Sequence, residues 1–363
     1  MRKKRIAIAA GGTGGHFYPG FVVAQALRAR GWEPLTVVRQ GDPALPALEK
    51  EGLAALPVDL RGLPRRPGPE LFTFARKLAG SLGTLSRALR AFEPDLVLGM
   101  GGYLTFPLVF AAWRRGVPRA VHESNAILGL ANASAVKLGA QLYWGLPPEG
   151  SSGGKVAGTP VRPALWTRRD AADARRALGL APDRPTLLAF GGSQGAQRLN
   201  AALPRALQGL PGVQILHLAG KGKAEEAAAA YRAEGVSADV REYLEDMGAA
   251  YGAADLVVCR SGASTLAELA AQRVPAVLVP YPHATAGHQD VNARVLERAG
   301  AASRLREEEL DARLGGVLTD LLTSKEAPER RKAMSAAYAG LGLPPAAKTV
   351  EEFVAALETL AAK

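Results

Sequence analysis

RIAIAAGGTGGHFYPG (5–20) and TLLAFGGSQGAQRLN (186–200) decide how this chain is read. Each opens on a short apolar run, breaks into a doubled glycine and continues into a helix-like segment, expected from about Phe21 in the first case. The same punctuation recurs where residues 96–100 run into GGYLTFP (101–107) and residues 256–260 run into SGAST (261–265). Strand, glycine turn and helix in that order form the unit of a parallel sheet with helices on both faces. Each half opens on a GG[TS]xG loop and later carries an Asp-Leu-Val strand, at Asp95 and Asp255. A 20–50-residue period is absent, which excludes a solenoid. The fold class expected is therefore α/β, two Rossmann-like parallel-sheet domains. The joint is placed at GTPVRP (158–163), giving domains over 1–162 and 163–344. A final helix over 345–363 carries apolar residues at Val350, Phe353, Val354 and Leu357, and is expected to pack back on the first domain.

A length of 363 residues suits two domains, and 48% hydrophobic with 22% charged residues is a globular composition. One cysteine, Cys259, leaves no intramolecular disulfide and fits a reducing cytoplasm. The apolar run after MRKKR is too short for the core of a signal peptide. The longest apolar run, 104–113, is about half of a spanning helix. The net charge of +11 is uneven: residues 1–162 hold 21 Lys+Arg against 10 Asp+Glu, and the remainder is balanced at 24 each. A basic first half faces an anionic partner such as phospholipid or a phosphorylated substrate, or is simply a solvated basic surface.

Glycine turns between strand and helix present backbone N–H groups at the positive end of a helix dipole and so suit phosphate. The dinucleotide fingerprint fails, because GGTGGHF lacks the third glycine of G-x-G-x-x-G. The second strand also ends in Arg39-Gln40 instead of a ribose-binding acid. No P-loop motif occurs. Several polar residues stand beside the strand ends: His16, HESN (122–125) after a strand read as 119–121, Arg162, Glu268, and Gln289 with Asn292. With no D-x-D, no H-E-x-x-H and no Cys/His pairing, a metal is not expected. A diphosphate would instead be neutralised by loop N–H groups, a helix N-terminus and an arginine.

AGGTGGHFYPG (10–20), GMGGYLTFP (99–107), HESN (122–125), GTPVR (158–162), GGSQGAQRLN (191–200), CRSGASTLAE (259–268) and HQDVNA (288–293) occur together in this order. The set resembles the MurG family of N-acetylglucosaminyltransferases over residues 5–300. The resemblance implies a GT-B fold, two Rossmann-like domains facing across a cleft. It also implies inverting transfer of N-acetylglucosamine from UDP-GlcNAc to the C4 hydroxyl of lipid I, giving lipid II, with no cofactor. By the same resemblance, the backbone at Leu244 reads the uracil and Glu268 binds the ribose hydroxyls. Ala263, Ser264, Thr265, Leu266 and Ala267 lead into a helix that faces the diphosphate. Ser193 and Arg162 contact phosphate, Gln289 and Asn125 lie near the sugar, and Thr13, Gly14 and Gly15 complete the donor site. Ser124 stands where some members have Gln, and Thr159 where some have Asn. An anionic membrane surface and proteins of cell-wall synthesis and division are the other partners implied, with the enzyme peripheral at the cytoplasmic face; nucleic acid is not one.

Inverting transfer needs a base on one side of the anomeric carbon and anion stabilisers on the other. An imidazole titrates near neutrality, so His16 is the expected base and Glu123 the reserve; the other role open to His16 is to orient the acceptor diphosphate or cap the loop. Between Arg61 and Phe92, Leu71, Phe72 and Phe74 mix with Arg65, Arg66, Arg76 and Lys77. Such a segment suits docking on anionic lipid, or is a core helix with a solvated face. The alternative enzyme is a UDP-GlcNAc 2-epimerase-like protein with the same donor pocket. A basic nucleic-acid-binding protein would need aromatics among its cations, and aromatics are only 6%.

Overall fold

The computed structural model describes residues 2–11, 14–64, 68–150, 153–192 and 194–362. The chain divides into two compact units, residues 1–162 with 343–363, and residues 163–342. The first holds seven strands: β1 (Arg5–Ala9), β2 (Glu33–Arg39), β3 (Ala54–Val58), β4 (Leu96–Gly99), β5 (Arg119–Glu123), β6 (Gln141–Trp144) and β7 (Lys155–Val156). They form one parallel sheet in the order β3-β2-β1-β4-β5-β6-β7. The second holds β8 (Thr186–Phe190), β9 (Gln214–Leu218), β10 (Asp239–Arg241), β11 (Leu256–Cys259), β12 (Ala276–Leu278) and β13 (Ala302–Arg304). Their parallel order is β10-β9-β8-β11-β12-β13. Both are Rossmann-like sheets in which the strand order reverses once, between β1 and β4 and between β8 and β11. Ligands of such sheets sit outside the carboxyl ends of the strands at that reversal.

The central strands are buried on both faces by the helices that connect them. TLLAF in β8 and LVVC in β11 are buried along their whole length. This is why they read as unbroken apolar runs without alternation. The C-terminal helix Ala346–Leu360 belongs to the first unit, burying Val350, Phe353, Val354 and Leu357, and packs against the helix that follows β1.

Two expected boundaries move. The helix after β1 spans Gly14–Ala29, not a segment from Phe21, and carries Pro19 inside it. Proline there forfeits one hydrogen bond, to the carbonyl of Gly15, which the helix tolerates near its start. Gly20 sits on the helix face against the sheet: a Cβ there would lie 2.5 Å from the Cβ of Ala10. It thus gives the close helix–strand approach that the third fingerprint glycine gives elsewhere. Likewise β5 runs to Glu123, so His122 and Glu123 end the strand where a loop was expected.

Candidate functional site

In the first unit three neighbouring strands deliver their following residues to one edge. His16 lies in the first turn of the helix after β1, half-buried, and not at the end of the strand. Its imidazole lies over the glycine pair after β4. A Cβ on Gly101 would come within 2.9 Å of His16 Cδ2 and 3.0 Å of Nε2, and one on Gly102 within 3.1 Å of Nδ1. Both glycines have positive φ, 96° and 72°, a backbone that other residues rarely adopt. Thr105 locks the turn: its buried hydroxyl accepts the Gly101 N–H at 3.1 Å and donates to the Gly101 carbonyl at 2.8 Å. The turn is therefore a fixed floor for the ring of His16.

HESN at the end of β5 is a buried network. His122 is fully buried, and its Nε2–H donates to the carbonyl of Gly158 at 3.0 Å. That fixes Nδ1 as acceptor for the Ser124 hydroxyl at 3.3 Å. Burial pushes the His122 pKa down, so the ring is held neutral. The Glu123 carboxylate accepts the Asn125 N–H and Nδ2–H on Oε1, at 3.1 and 2.9 Å. On Oε2 it accepts the Gly129 N–H at 3.0 Å and Asn132 Nδ2–H at 2.8 Å. Two carboxylate oxygens offer about four acceptor positions, and all are filled. Glu123 as the reserve base is corrected on this ground: it has no lone pair left for a substrate proton. Gly14 and Gly15 open the helix that bears His16. Arg162 places its guanidinium 5.2 Å from the ring centre of Tyr18 on that helix. Thr13, Ser193, Arg65 and Arg66 lie outside the described residues.

The second unit gathers the other polar set. Ala263, Ser264, Thr265, Leu266 and Ala267 are themselves the first turns of the helix Ala263–Gln272, which opens directly after β11. The Ser264 hydroxyl is buried and has no hydrogen-bond partner among the described residues. A buried orphan hydroxyl is uncommon, and here it stands among N–H groups that also lack intrahelical partners. Glu268 follows on the same helix, and its Oε2 accepts the hydroxyl of buried Tyr251 at 2.8 Å. Leu244 is half-buried in the loop before the helix Met247–Ala253. Asp246 anchors that loop by capping the helix through the Ala249 N–H and pairing with Arg169 at 2.7 and 3.0 Å. Gln289, in the first turn of the helix His288–Arg298, accepts the Tyr281 N–H at 3.0 Å on its side chain. Its own carbonyl accepts the Ser261 hydroxyl at 2.8 Å. Asn292 is buried and donates to the Ser261 carbonyl, so it is a tie within the fold. Among the described residues no group of three or more His, Cys, Asp or Glu could hold a metal ion.

The lipid-facing set divides. On the helix Pro69–Phe92, Leu71 and Phe72 are 47% and 78% exposed, and Arg76 is exposed. Phe74 turns inward onto the core, and Lys77 pairs with Asp59 at 2.7 Å. The Phe74 assignment is corrected: the stripe 74, 78, 81, 85, 89 faces the sheet. Leu63 and Trp113 add exposed apolar surface, 58% and 45%, that the sequence did not single out. No helix among the described residues is long and apolar enough to cross a membrane.

Two parallel sheets, each with a glycine turn and a helix start at its strand reversal, are the two halves of a GT-B glycosyltransferase. Residues 6–143 match the glycosyltransferase family 28 N-terminal domain and residues 186–350 the family's C-terminal domain. A protein of Elusimicrobium minutum is 36% identical over 98% of this chain and all of its own length. One of Acidithiobacillus ferrooxidans is 40% identical over 88% of this chain and 89% of its own. Both are named UDP-N-acetylglucosamine--N-acetylmuramyl-(pentapeptide) pyrophosphoryl-undecaprenol N-acetylglucosamine transferase. The crystal structure of Acinetobacter baumannii MurG superposes with a TM-score of 0.80 at 28% identity, covering 99% of this chain and 100% of that one. The chain belongs to the MurG family.

Proposed function

We propose that this chain transfers N-acetylglucosamine from UDP-GlcNAc to the C4 hydroxyl of the MurNAc sugar of lipid I, with inversion, to give lipid II. The observation that carries the reading is membership of one transferase family along nearly the whole chain, 98% of it against a relative matched end to end. That membership does not favour the epimerase-like alternative.

In this reading the second unit takes the donor. Leu244 reads the uracil through its backbone, Glu268 holds the ribose hydroxyls in the orientation Tyr251 gives it, and the diphosphate meets the start of the helix Ala263–Gln272. The Ser264 hydroxyl is a ready donor there; by the family resemblance Arg162 and Ser193 are phosphate contacts and Thr13, Gly14 and Gly15 are further donor contacts. Asn125 and Gln289 contact the sugar. The first unit takes the acceptor: His16 removes the C4 hydroxyl proton as the new bond forms at the anomeric carbon and UDP departs from the opposite face. The imidazole lies over the Gly101–Gly102 turn at the strand reversal, where ligands of such sheets bind, which supports this role; orienting the acceptor diphosphate or capping the loop is the other role open to it.

The exposed Leu63, Leu71, Phe72 and Trp113, with exposed Arg76, support docking on the anionic cytoplasmic leaflet as a peripheral protein. Proteins of cell-wall synthesis and division, as further partners, rest on the family resemblance alone. Labelled GlcNAc transfer to a lipid I analogue, with EDTA present, tests the reaction. Labelled disaccharide-lipid supports it; epimer formed from donor alone would overturn it. For the membrane, Leu71→Ser with Phe72→Ser should lower binding to phosphatidylglycerol vesicles about tenfold or more, since each buried apolar side chain contributes about 1.5–3 kcal/mol. Undiminished sedimentation with vesicles would remove this face from the docking surface.

A further inference from the structure

The four hydrogen bonds on Glu123 come from one residue of the following turn, which gives two, and from two residues at the start of the next helix. Asn125 supplies its N–H and its Nδ2–H, Gly129 is the N-cap of the helix Leu130–Lys137, and Asn132 stands in that helix's first turn. From the neighbouring strand, Glu123 thus holds the backbone N–H of the N-cap residue and the side chain of the residue three places on. The second hydrogen of the Asn132 carboxamide reaches the His122 carbonyl at 3.1 Å, so both its hydrogens are engaged. Glu123 and Asn132 are 5% and 1% exposed. The pair is thus a clamp below the surface, with residues 124–129 bent over it.

A carboxamide presents two ends of nearly equal shape and opposite hydrogen-bonding sense. A carboxylate only accepts, so Asn125 must turn Nδ2 towards Glu123 and Oδ1 the other way. We propose that Glu123, held by Asn132, is a positioning residue that fixes the orientation of the Asn125 carboxamide and so sets which end of it meets the sugar of the nucleotide donor. This rests on the proposed function, in which Asn125 contacts N-acetylglucosamine. Asn132 belongs to none of the motifs read from the sequence, yet it is half of the clamp.

Glu123→Gln keeps the shape but places an NH₂ group against two of the four donors, whichever way the new amide lies. Asn132→Ala removes one donor and frees the carboxylate to turn. Both changes should raise KM for UDP-GlcNAc about tenfold, equivalent to about 1.4 kcal/mol. The inhibition constant of UDP, which lacks the sugar, should stay within about twofold. Both should keep the acid limb of the kcat–pH profile, because that limb belongs to another group. In an Asn125→Ala background, either change should add less than about twofold, since residues acting through one contact are not additive. A collapse of kcat at every pH with KM unchanged would restore Glu123 as a base and overturn the proposal. KM for donor and inhibition by UDP worsening in parallel, or full additivity with Asn125→Ala, would reduce the clamp to a fold-holding role and overturn it too. If Glu123→Gln does not fold, Asn132→Ala carries the same comparison. Failure of the unaltered chain to bind UDP-GlcNAc would sink the function reading itself. Normal binding with KM unmoved in both variants would sink only the positioning.

Discussion

Gly101→Ala isolates the floor under His16. A β-carbon at φ 96° forces a backbone that such residues rarely adopt, at about 1–3 kcal/mol. The same carbon would stand 2.9 Å from Cδ2 and 3.0 Å from Nε2 of His16, where ordinary carbon contacts need about 3.5–4.0 Å. The ring must therefore retreat by about 0.5–1 Å. The turn cannot easily give way instead, because Thr105 holds the Gly101 N–H and carbonyl together. A base displaced by about 1 Å costs on the order of 10²-fold in rate, so kcat should fall about 10²-fold in the labelled-transfer assay. Gly116→Ala is the control: φ is 70°, and nothing lies within 4 Å of the added carbon. It should lose a similar melting temperature, about 2–4 °C for each kcal/mol, and keep its turnover. A Gly101→Ala protein that turns over as fast as the Gly116→Ala control would refute the placement of His16 at the reacting hydroxyl.

Two further expectations concern the second unit. Tyr251→Phe deletes the hydroxyl that Glu268 accepts at 2.8 Å; calorimetric UDP-GlcNAc affinity should weaken about 3- to 10-fold, the worth of one hydrogen bond, with kcat kept, and unaltered affinity would contradict the role given to Glu268. His217, buried between the Tyr231 hydroxyl and Asn200 Oδ1, has its pKa lowered from 6.5 to about 4 by burial. The unfolded chain takes up a proton below pH 6.5 that the folded unit refuses until about pH 4, so stability is lost as pH falls through that window. The loss is about 3 kcal/mol at 1.4 kcal/mol per pH unit. Hydrogen-exchange protection factors in β9 should fall with acid in the wild type and more shallowly in His217→Gln; parallel slopes would assign the acid sensitivity elsewhere.

What the sequence could and could not say follows from how each feature is encoded. The strand Thr186–Phe190 was legible to the residue, because a parallel strand buried on both faces must be apolar throughout. β5 runs two residues past its apolar stretch because its end is polar, and polar residues are admitted to a buried strand only when each finds a partner. His122 finds Gly158 and Glu123 finds four donors, facts that exist only in three dimensions. The start of the first helix was obscured by Gly14, Gly15 and Pro19, residues that punctuate loops in isolation and here open a helix. The mixture of apolar and basic residues over 69–92 gave the composition of a docking helix but not its phase. Only the sheet decides that Phe74 and Leu78 turn inward while Phe72 stays out. Glu123 shows the limit most clearly. A carboxylate beside a glycine-rich strand end reads as a reserve base, and its spacing carries nothing against that. Its acceptors are filled from residues two, six and nine places onward, and only the turn through Asn125 and the helix begun at Leu130 bring those donors to one point. The chemistry of a buried acid is decided by how many donors reach it, and that number is a property of the folded loop.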